Sequence, residues 1–324
     1  MSLYLVVAST LLWSVASCVT TANAATIFVT NERDSTVTVI NSDNLEVVKT
    51  INTGERPRGI IAADDGREVF VCAGDDHRLD VIDPVKLEIV RSLDSGPDPE
   101  LLDVDGEGKR IYVANEDDSM VTVLDRATGE MIKEVPVGIE PEGMAVSPDS
   151  SLIVATSEST SMAHFIDAET LEVTGNVLVD TRPRHAEFNK SGAQVWVTSE
   201  IGGTVTVFDS ATQEVVKKIS FDIAAVKPEL IQPVGLRFSL DGDVAFVALG
   251  PANRIAVIDA ESFEVNDYIL VGQRPWHMEL HPDGSKLYVA NGMSNDMTVI
   301  DVANLRAERS INVGRLPWGV AIVP

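Results

Sequence analysis

Gly54-Glu55-Arg56-Pro57-Arg58-Gly59 is a tight loop leading into an apolar strand, and its proline returns as Pro99, Pro141, Pro183, Pro233, Pro275 and Pro317. The intervals are 42, 42, 42, 50, 42 and 42 residues, so seven copies of one unit fill the chain. Nine residues after each of the first six prolines stands a turn residue: Gly66, Gly108, Ser150, Gly192, Gly242 and Gly284. Twenty-six residues after stands an acid that closes a strand: Asp83, Asp125, Asp167, Asp209, Asp259 and Asp301, with Asn41 in that place in the first, incomplete unit. A period of this length with several short strands per unit is the signature of a propeller. So regular an array reads as one closed body rather than two average domains.

The unit resolves into four strands. After Pro57 come Gly59 to Ala63, Glu68 to Cys72, Leu79 to Asp83 and Glu88 to Leu93, each alternating or rich in β-branched residues and bounded by turn formers. Before Pro57 there are only three (Ile27 to Thr30, Thr36 to Asn41, Glu46 to Ile51), and after Pro317 only one, Gly319 to Val323. One C-terminal and three N-terminal strands make the missing blade, and closing the ring buries blade faces that would otherwise lie bare. The fold expected is therefore all-β: a seven-bladed β-propeller of four antiparallel strands per blade, a single domain over residues 25–324.

Hydrophobic residues make up 44% of the 324-residue chain, ample for a core, and the formal net charge is −25. That charge repels nucleic acid and anionic lipid and favours cationic partners. Residues 1–24 carry no charge, contain the apolar runs Leu3 to Val7 and Leu11 to Val15, and end in Ala22-Asn23-Ala24. They read as a secretory signal peptide, hence an exported, periplasmic protein, with lipid attachment at Cys18 as the alternative. No later segment is long and apolar enough to span a bilayer. Of the two cysteines, Cys18 lies in the signal and Cys72 in an apolar strand, so no disulfide holds the fold. The one break in rhythm is an eight-residue excess within Phe221 to Gln232, either a binding loop or a neutral insertion.

Strand direction sorts the loops onto two rims. At one, Asp65-Gly66, Asp241-Gly242 and Asp283-Gly284 are generic turn formers. At the other, every copy differs where a turn needs no difference. The residues expected to ring this channel mouth as a ligand or partner surface are Arg56, Arg58, Asp98, Glu100, Glu142, Arg182, Arg184, His185, Arg274, Trp276, His277 and Trp318 from the lead-in loops. Asn115, Glu116, Glu158, Glu200, Asn253, Arg254 and Asn291 join them from the second loop set. Acids gather after the second and third anchors and arginines elsewhere, so an acidic sector is expected to face a basic, aromatic one. None of the five histidines pairs in a metal motif, and there is no Cys-x-x-Cys and no Gly-x-Ser-x-Gly elbow, so neither a metal site nor a catalytic set is assigned. His185 and His277 each follow an anchor by two residues and are expected to face the channel.

Ile111-Tyr112-Val113-Ala114-Asn115-Glu116 and the recurring V-I-D-x-x-x-x-E-V pattern resemble the YVTN family of β-propeller repeats. The stretches 95–101, 114–118, 140–149, 162–167, 199–205, 248–254 and 313–320 resemble the β-propeller protein associated with pyrroloquinoline quinone (PQQ)-dependent catabolism. The resemblance implies an exported, non-catalytic binding or scaffold protein beside PQQ-dependent alcohol oxidation. Its implied partners are a PQQ-dependent dehydrogenase, a cytochrome c or an ABC-type transporter component, and PQQ itself would be the dehydrogenase's cofactor, with none bound here. Two further readings stand beside it: a redox subunit docking a basic cytochrome, and a lactonase-like hydrolase using His185, His277 and Glu100.

Overall fold

The computed structural model describes residues 25–324; the signal-like stretch and Cys18 lie outside the described residues. Seven four-stranded antiparallel sheets are arranged as blades. The closing blade comprises β1 (Thr26–Asn31), β2 (Thr36–Asn41) and β3 (Val47–Asn52), with β28 (Pro317–Val323) as its inner strand. Blade two is β4 (Pro57–Ala62), β5 (Val69–Ala73), β6 (Arg78–Asp83) and β7 (Glu88–Asp94). Blade three is β8 (Pro99–Val104), β9 (Arg110–Asn115), β10 (Met120–Asp125) and β11 (Met131–Pro136). Blade four is β12 (Pro141–Val146), β13 (Leu152–Ser157), β14 (Met162–Asp167) and β15 (Glu172–Leu178). Blade five is β16 (Pro183–Phe188), β17 (Gln194–Ser199), β18 (Thr204–Asp209) and β19 (Val215–Ser220). Blade six is β20 (Leu236–Phe238), β21 (Val244–Ala248), β22 (Arg254–Asp259) and β23 (Val265–Leu270), and blade seven is β24 (Pro275–Leu280), β25 (Lys286–Asn291), β26 (Asp296–Asp301) and β27 (Arg306–Asn312). No helix of the described residues is long and apolar enough to cross a membrane.

The alternation within strands becomes the core. Second and third strands are buried on both sides, while outer strands such as β3 and β19 keep one buried position and face solvent with the rest. Among the described residues the buried apolar side chains fall into seven clusters, one per interface between neighbouring blades. No blade has a core of its own, so stability is held between repeats. The ring is closed by the β1–β28 ladder, in which Thr26 faces Val323 and Phe28 faces Ala321. The inserted loop is anchored at two points: Ile223 and Ile231 are buried among Trp196, Val205 and Leu236 between blades five and six, while Asp222, Ala224, Ala225 and residues 227–230 are exposed.

Most inner strands begin at the anchor proline itself and slip register within three residues, as between Pro57 and Ile60 or Pro141 and Met144. The bulge turns the residue after the proline toward the channel. Two residues past the proline the blades come closest: a Cβ on Gly59 would lie 2.2 Å from the Glu100 carbonyl oxygen, and one on Gly319 2.7 Å from that of Arg58. Only glycine fits a position whose neighbour is backbone. Gly59→Ala is therefore expected to cost about 1–3 kcal/mol in denaturant unfolding, whereas Gly106→Ala, whose nearest neighbour is the movable Ser150 hydroxyl at 3.2 Å, costs clearly less.

Candidate functional site

The first residues past the seven prolines are Arg58, Glu100, Glu142, Arg184, Val234, Trp276 and Trp318, and they form a ring across the channel. Arg58 Nη1 donates to Glu100 Oε1 at 2.9 Å, and Arg56 Nη1 reaches the same oxygen at 2.8 Å. Arg184 bonds Glu158 and lies 3.2 Å from Glu142, while Arg182 sits 2.8 Å from Glu158 and Arg274 2.6 Å from Glu200. Arg274 also lies over the Trp276 ring at 4.4 Å, and Trp276 stacks on Trp318 with centroids 6.3 Å apart. These groups plug the channel. Glu100 and Glu142 stand side by side on blades three and four with Arg58 and Arg184 on the blades flanking them, and each acid is paired with the arginine beside it, because inner strands at the axis bring neighbouring ring residues into contact. Burial raises the Glu100 carboxyl, but Arg58 and Arg56 outweigh it and hold it below the ordinary range. Glu142 goes the other way: burial raises it well above that range despite Arg184. Glu116 is pushed up to about 7 by burial and by its bond to Glu100.

Beneath the plug lies a cavity of about 230 Å³, lined among others by Asp103, Met144, His185, Glu187, Arg237, His277 and Trp318. It reaches Pro148, in the turn after β12, and shares Ile61, Glu187 and Arg237 with a shallower hollow lined by Asp64, Lys190, Leu240 and Pro282. The channel thus opens at the rim of generic turns, away from the mouth expected from the sequence. His185 and His277 meet edge to face at 5.2 Å, and His277 lies 4.1 Å from Trp318. His185 Nε2 sits 3.3 Å from Glu187 Oε2, and Arg237 bonds both Glu187 and, at 3.0 Å, Glu279. Burial raises Glu187, but Arg237 and then His185 outweigh it and keep it ionised. Burial, followed by the neighbouring His185 ring and the charges of Arg184 and Arg237, drives His277 well below its ordinary value, so it is neutral at pH 7. Burial lifts Asp103 to about 7 against the pull of the Val146 and Val104 N–H groups, the first at 2.7 Å. His185 Nδ1, His277 Nε2 and Trp318 Nε1 are buried without a hydrogen-bond partner.

Several expected rim residues serve the loops themselves. Asn115 Nδ2 donates to Ser95 O and Thr122 Oγ1, Asn291 Nδ2 to Thr298 Oγ1, Asn253 Oδ1 accepts the Arg274 N–H, and Arg254 bonds Ala252 O. Asp103, Glu187, Arg237 and Glu279 were missed. Each stands four residues past its proline, where the other blades carry Ile61, Ala145 and Ala321. A charge in that otherwise apolar place was the available signal. Ser157, His164 and Asn176 share the connectivity of a nucleophilic triad, Ser157 Oγ lying 2.9 Å from His164 Nε2. Yet Ser157 is fully buried and the Gly138 N–H also occupies that nitrogen at 3.0 Å, so the set holds a loop.

Two family models match parts of the chain: the cytochrome D1 heme domain over residues 22–138 and the seven-bladed β-propeller lactonase over residues 169–308. No curated protein matches. Among solved structures, Kuenenia stuttgartiensis hydrazine synthase is similar at 20% identity and TM-score 0.79, over 86% of this chain and 92% of that one. A putative 6-phosphogluconolactonase from Bacteroides fragilis is similar at 21% identity and TM-score 0.76, over 94% and 99%. The dihydro-heme d1 dehydrogenase NirN is similar at 15% identity and TM-score 0.68, over 91% and 74%. At these identities the structures share the fold. The expectation of a non-catalytic scaffold in PQQ-dependent catabolism is corrected by these matches: they lead to lactonase and heme-domain propellers, and so to the alternatives held beside it. The residues present do not fit a haem. The only histidine in the heme-domain match is His77, an exposed loop residue whose Nδ1 accepts the Asp98 N–H at 3.0 Å. The 230 Å³ cavity is also smaller than the roughly 300–1,000 Å³ pockets of drug-sized ligands, and a tetrapyrrole is larger than such ligands.

Asp103 gives a pH signature. Its folded pKa of about 7 lies above the ordinary 3.8, so between those values the folded chain keeps a proton that the unfolded chain has lost. Its contribution to stability is full below about pH 4 and is lost as pH rises through about 7. Asp103→Asn retains an acceptor for the Val146 N–H. It is expected to be more stable than the wild type at about pH 8 by on the order of 1–2 kcal/mol, with the difference vanishing near pH 4 in paired denaturant titrations.

Proposed function

We propose that the channel is a hydrolytic site for small uncharged lactones or esters, with His185 as general base. The observation that carries this reading is the Glu187–His185 pair. With Nε2–H directed at the Glu187 carboxylate, the lone pair is left on Nδ1, which is buried without a partner on a residue lining the cavity. That is the arrangement of an oriented imidazole base, and Arg237 holds the orienting carboxylate in its charged form. The lactonase match spans His185, Glu187, Arg237 and His277, which supports the same reading. An exported, periplasmic setting is supported by the sequence of residues 1–24.

His185 Nδ1 takes a proton from water as the water oxygen bonds the carbonyl carbon. The Trp318 Nε1–H, a buried donor with no partner, is free to meet the oxygen that gains charge. When the carbon–oxygen bond of the ring breaks, the imidazolium returns the proton to the leaving alkoxide, and the product is a hydroxy acid. Neutral His277 packs against both His185 and Trp318 and fixes their rings.

Charge selects the substrate. Arg237 is the one lysine or arginine among the residues lining the cavity, and its guanidinium is committed to Glu187 and Glu279. A phosphorylated or carboxylated lactone therefore meets net negative charge without a free cation, and the anionic product is repelled toward the open rim.

A pH-stat assay over a panel of four- to six-carbon lactones and simple esters tests this. Turnover of uncharged substrates is expected, and His185→Ala lowers kcat/KM by about 10²–10⁴-fold, while Glu187→Gln, which keeps the shape but loses the carboxylate, lowers kcat more than it raises KM. Absence of turnover across the panel, or full activity in His185→Ala, overturns the reading.

A further inference from the structure

Where the channel opens among the plain turns, its 230 Å³ cavity runs into a hollow of about 560 Å³ and shares Ile61, Glu187, Phe188 and Arg237 with it. The repeat shows how this hollow differs from the rest of that rim. Five residues past the anchor prolines, blades two to four carry Ala62, Val104 and Val146, whereas blades five, six, seven and the closing blade carry Phe188, Phe238, Leu280 and Ile322. All four of the larger side chains line the hollow. Seven residues past the first six prolines stand Asp64, Gly106, Pro148, Lys190, Leu240 and Pro282, so only blade six puts a long apolar side chain in that turn.

A lone exposed leucine is ordinary on a protein surface. Leu240, 56% exposed, has a defined place: it lines the hollow and reaches toward the next blade, where a Cβ on Gly284 would meet its Cβ at 3.1 Å and its Cδ2 at 3.3 Å. From the other side Lys190 Nζ donates to the Leu240 carbonyl at 3.1 Å. The turns of blades five, six and seven are thus joined into one lip, with the leucine at its middle. The polar side chains of the hollow are already engaged. Lys190 holds that carbonyl, Ser239 donates to Asp241, His281 lies 2.7 Å from Asp283, and Arg237 is committed to Glu187 and Glu279. Asp64 adds an exposed acid. A polar tail meets no waiting partner there and an anionic one meets surplus acid, so the surface favours a ligand that removes apolar area from water.

We infer that the channel's substrates are lactones carrying a linear alkyl chain, the ring seated in the cavity beside His185 and the chain laid in the hollow against Leu240. This rests on the hydrolytic reading of the cavity and names its substrate class. The chain is held equally in the ground and transition states, so its length acts on KM and leaves kcat nearly constant. Initial rates on five-membered lactones bearing no chain, a butyl, a hexyl or an octyl chain test it. The kcat/KM is expected to rise by about 2- to 4-fold per methylene as far as hexyl. In Leu240→Ser the ratio of hexyl to unsubstituted kcat/KM falls by about 5-fold or more, with an unfolding curve to establish that this exposed-turn variant is folded. Leu178→Ser, at the exposed end of β15, keeps the wild-type ratio. No turnover of any member overturns the hydrolytic reading and this inference with it. Turnover of the unsubstituted ring with a flat response to chain length, or a wild-type ratio in Leu240→Ser, overturns this inference alone. So does a chain that sediments as a dimer and separates into monomers in Leu240→Ser, since the hollow would then seat a second copy.

Discussion

Close approach of backbone to backbone around the axis is the constraint on which the rest of this molecule depends. Two residues past the proline, Gly59, Gly143, Gly235 and Gly319 each face the main chain of the next blade, at distances where a Cβ would meet Glu100 O, His185 Cα, Trp276 O and Arg58 O. Small residues at these places let the neighbouring blade carry a large side chain at the same level. Gly143 precedes His185 around the ring, and Gly235 precedes His277. The two imidazoles therefore reach each other across blade six, which contributes only Gly235 at that level. A side chain at either glycine would displace a histidine as well as a strand.

The same convergence divides the channel electrostatically. Above the histidines, two adjacent glutamates flanked by arginines close the mouth; below, one guanidinium lies between two carboxylates and leaves a chamber open toward the plain turns. Backbone strain accompanies the upper layer. Arg56, Asp98, Glu140, Arg182 and Arg274 all hold φ between 51° and 61°, where glycine or asparagine is the usual choice. Four of these five touch an opposite charge, and the fifth, Glu140, lies beside the carboxylates of Glu116 and Glu158. The same φ recurs at the uncharged Leu316 before the seventh proline and at Leu45, Leu87, Leu171, Phe263 and Leu305 in the outer turns, so the conformation belongs to the turns of the repeat and the charges are carried on it.

Proline spacing revealed the number of blades, their four strands and the shared closing blade, because a repeat needs only its period to be read. The ring as a set of residues was legible for the same reason, although it closes the channel instead of forming the open mouth expected. The pairing within it was not, although its signal lay in the period: Arg58 and Glu100, Glu142 and Arg184, and Arg237 and Glu279 are each separated by one 42-residue repeat. Reading loops one at a time hides a contact made across blades. The lower chamber was missed because inner strands were treated as apolar, when Asp103, Glu187, Arg237 and Glu279 stand at one equivalent position. The insertion's length left a binding loop and a neutral insertion equally open, and Ile223 and Ile231 anchor it at the interface beside the shortest inner strand, β20.

The closing blade has a mechanical consequence. Thr26 and Val323 are opposite one another at the same end of the β1–β28 ladder. Tension applied at these two residues would load the hydrogen bonds one after another, as in opening a zip, instead of shearing them together. A ring that meets heat as one cooperative body would yield to a gentle pull, peeling its innermost strand away before any other blade bears the load.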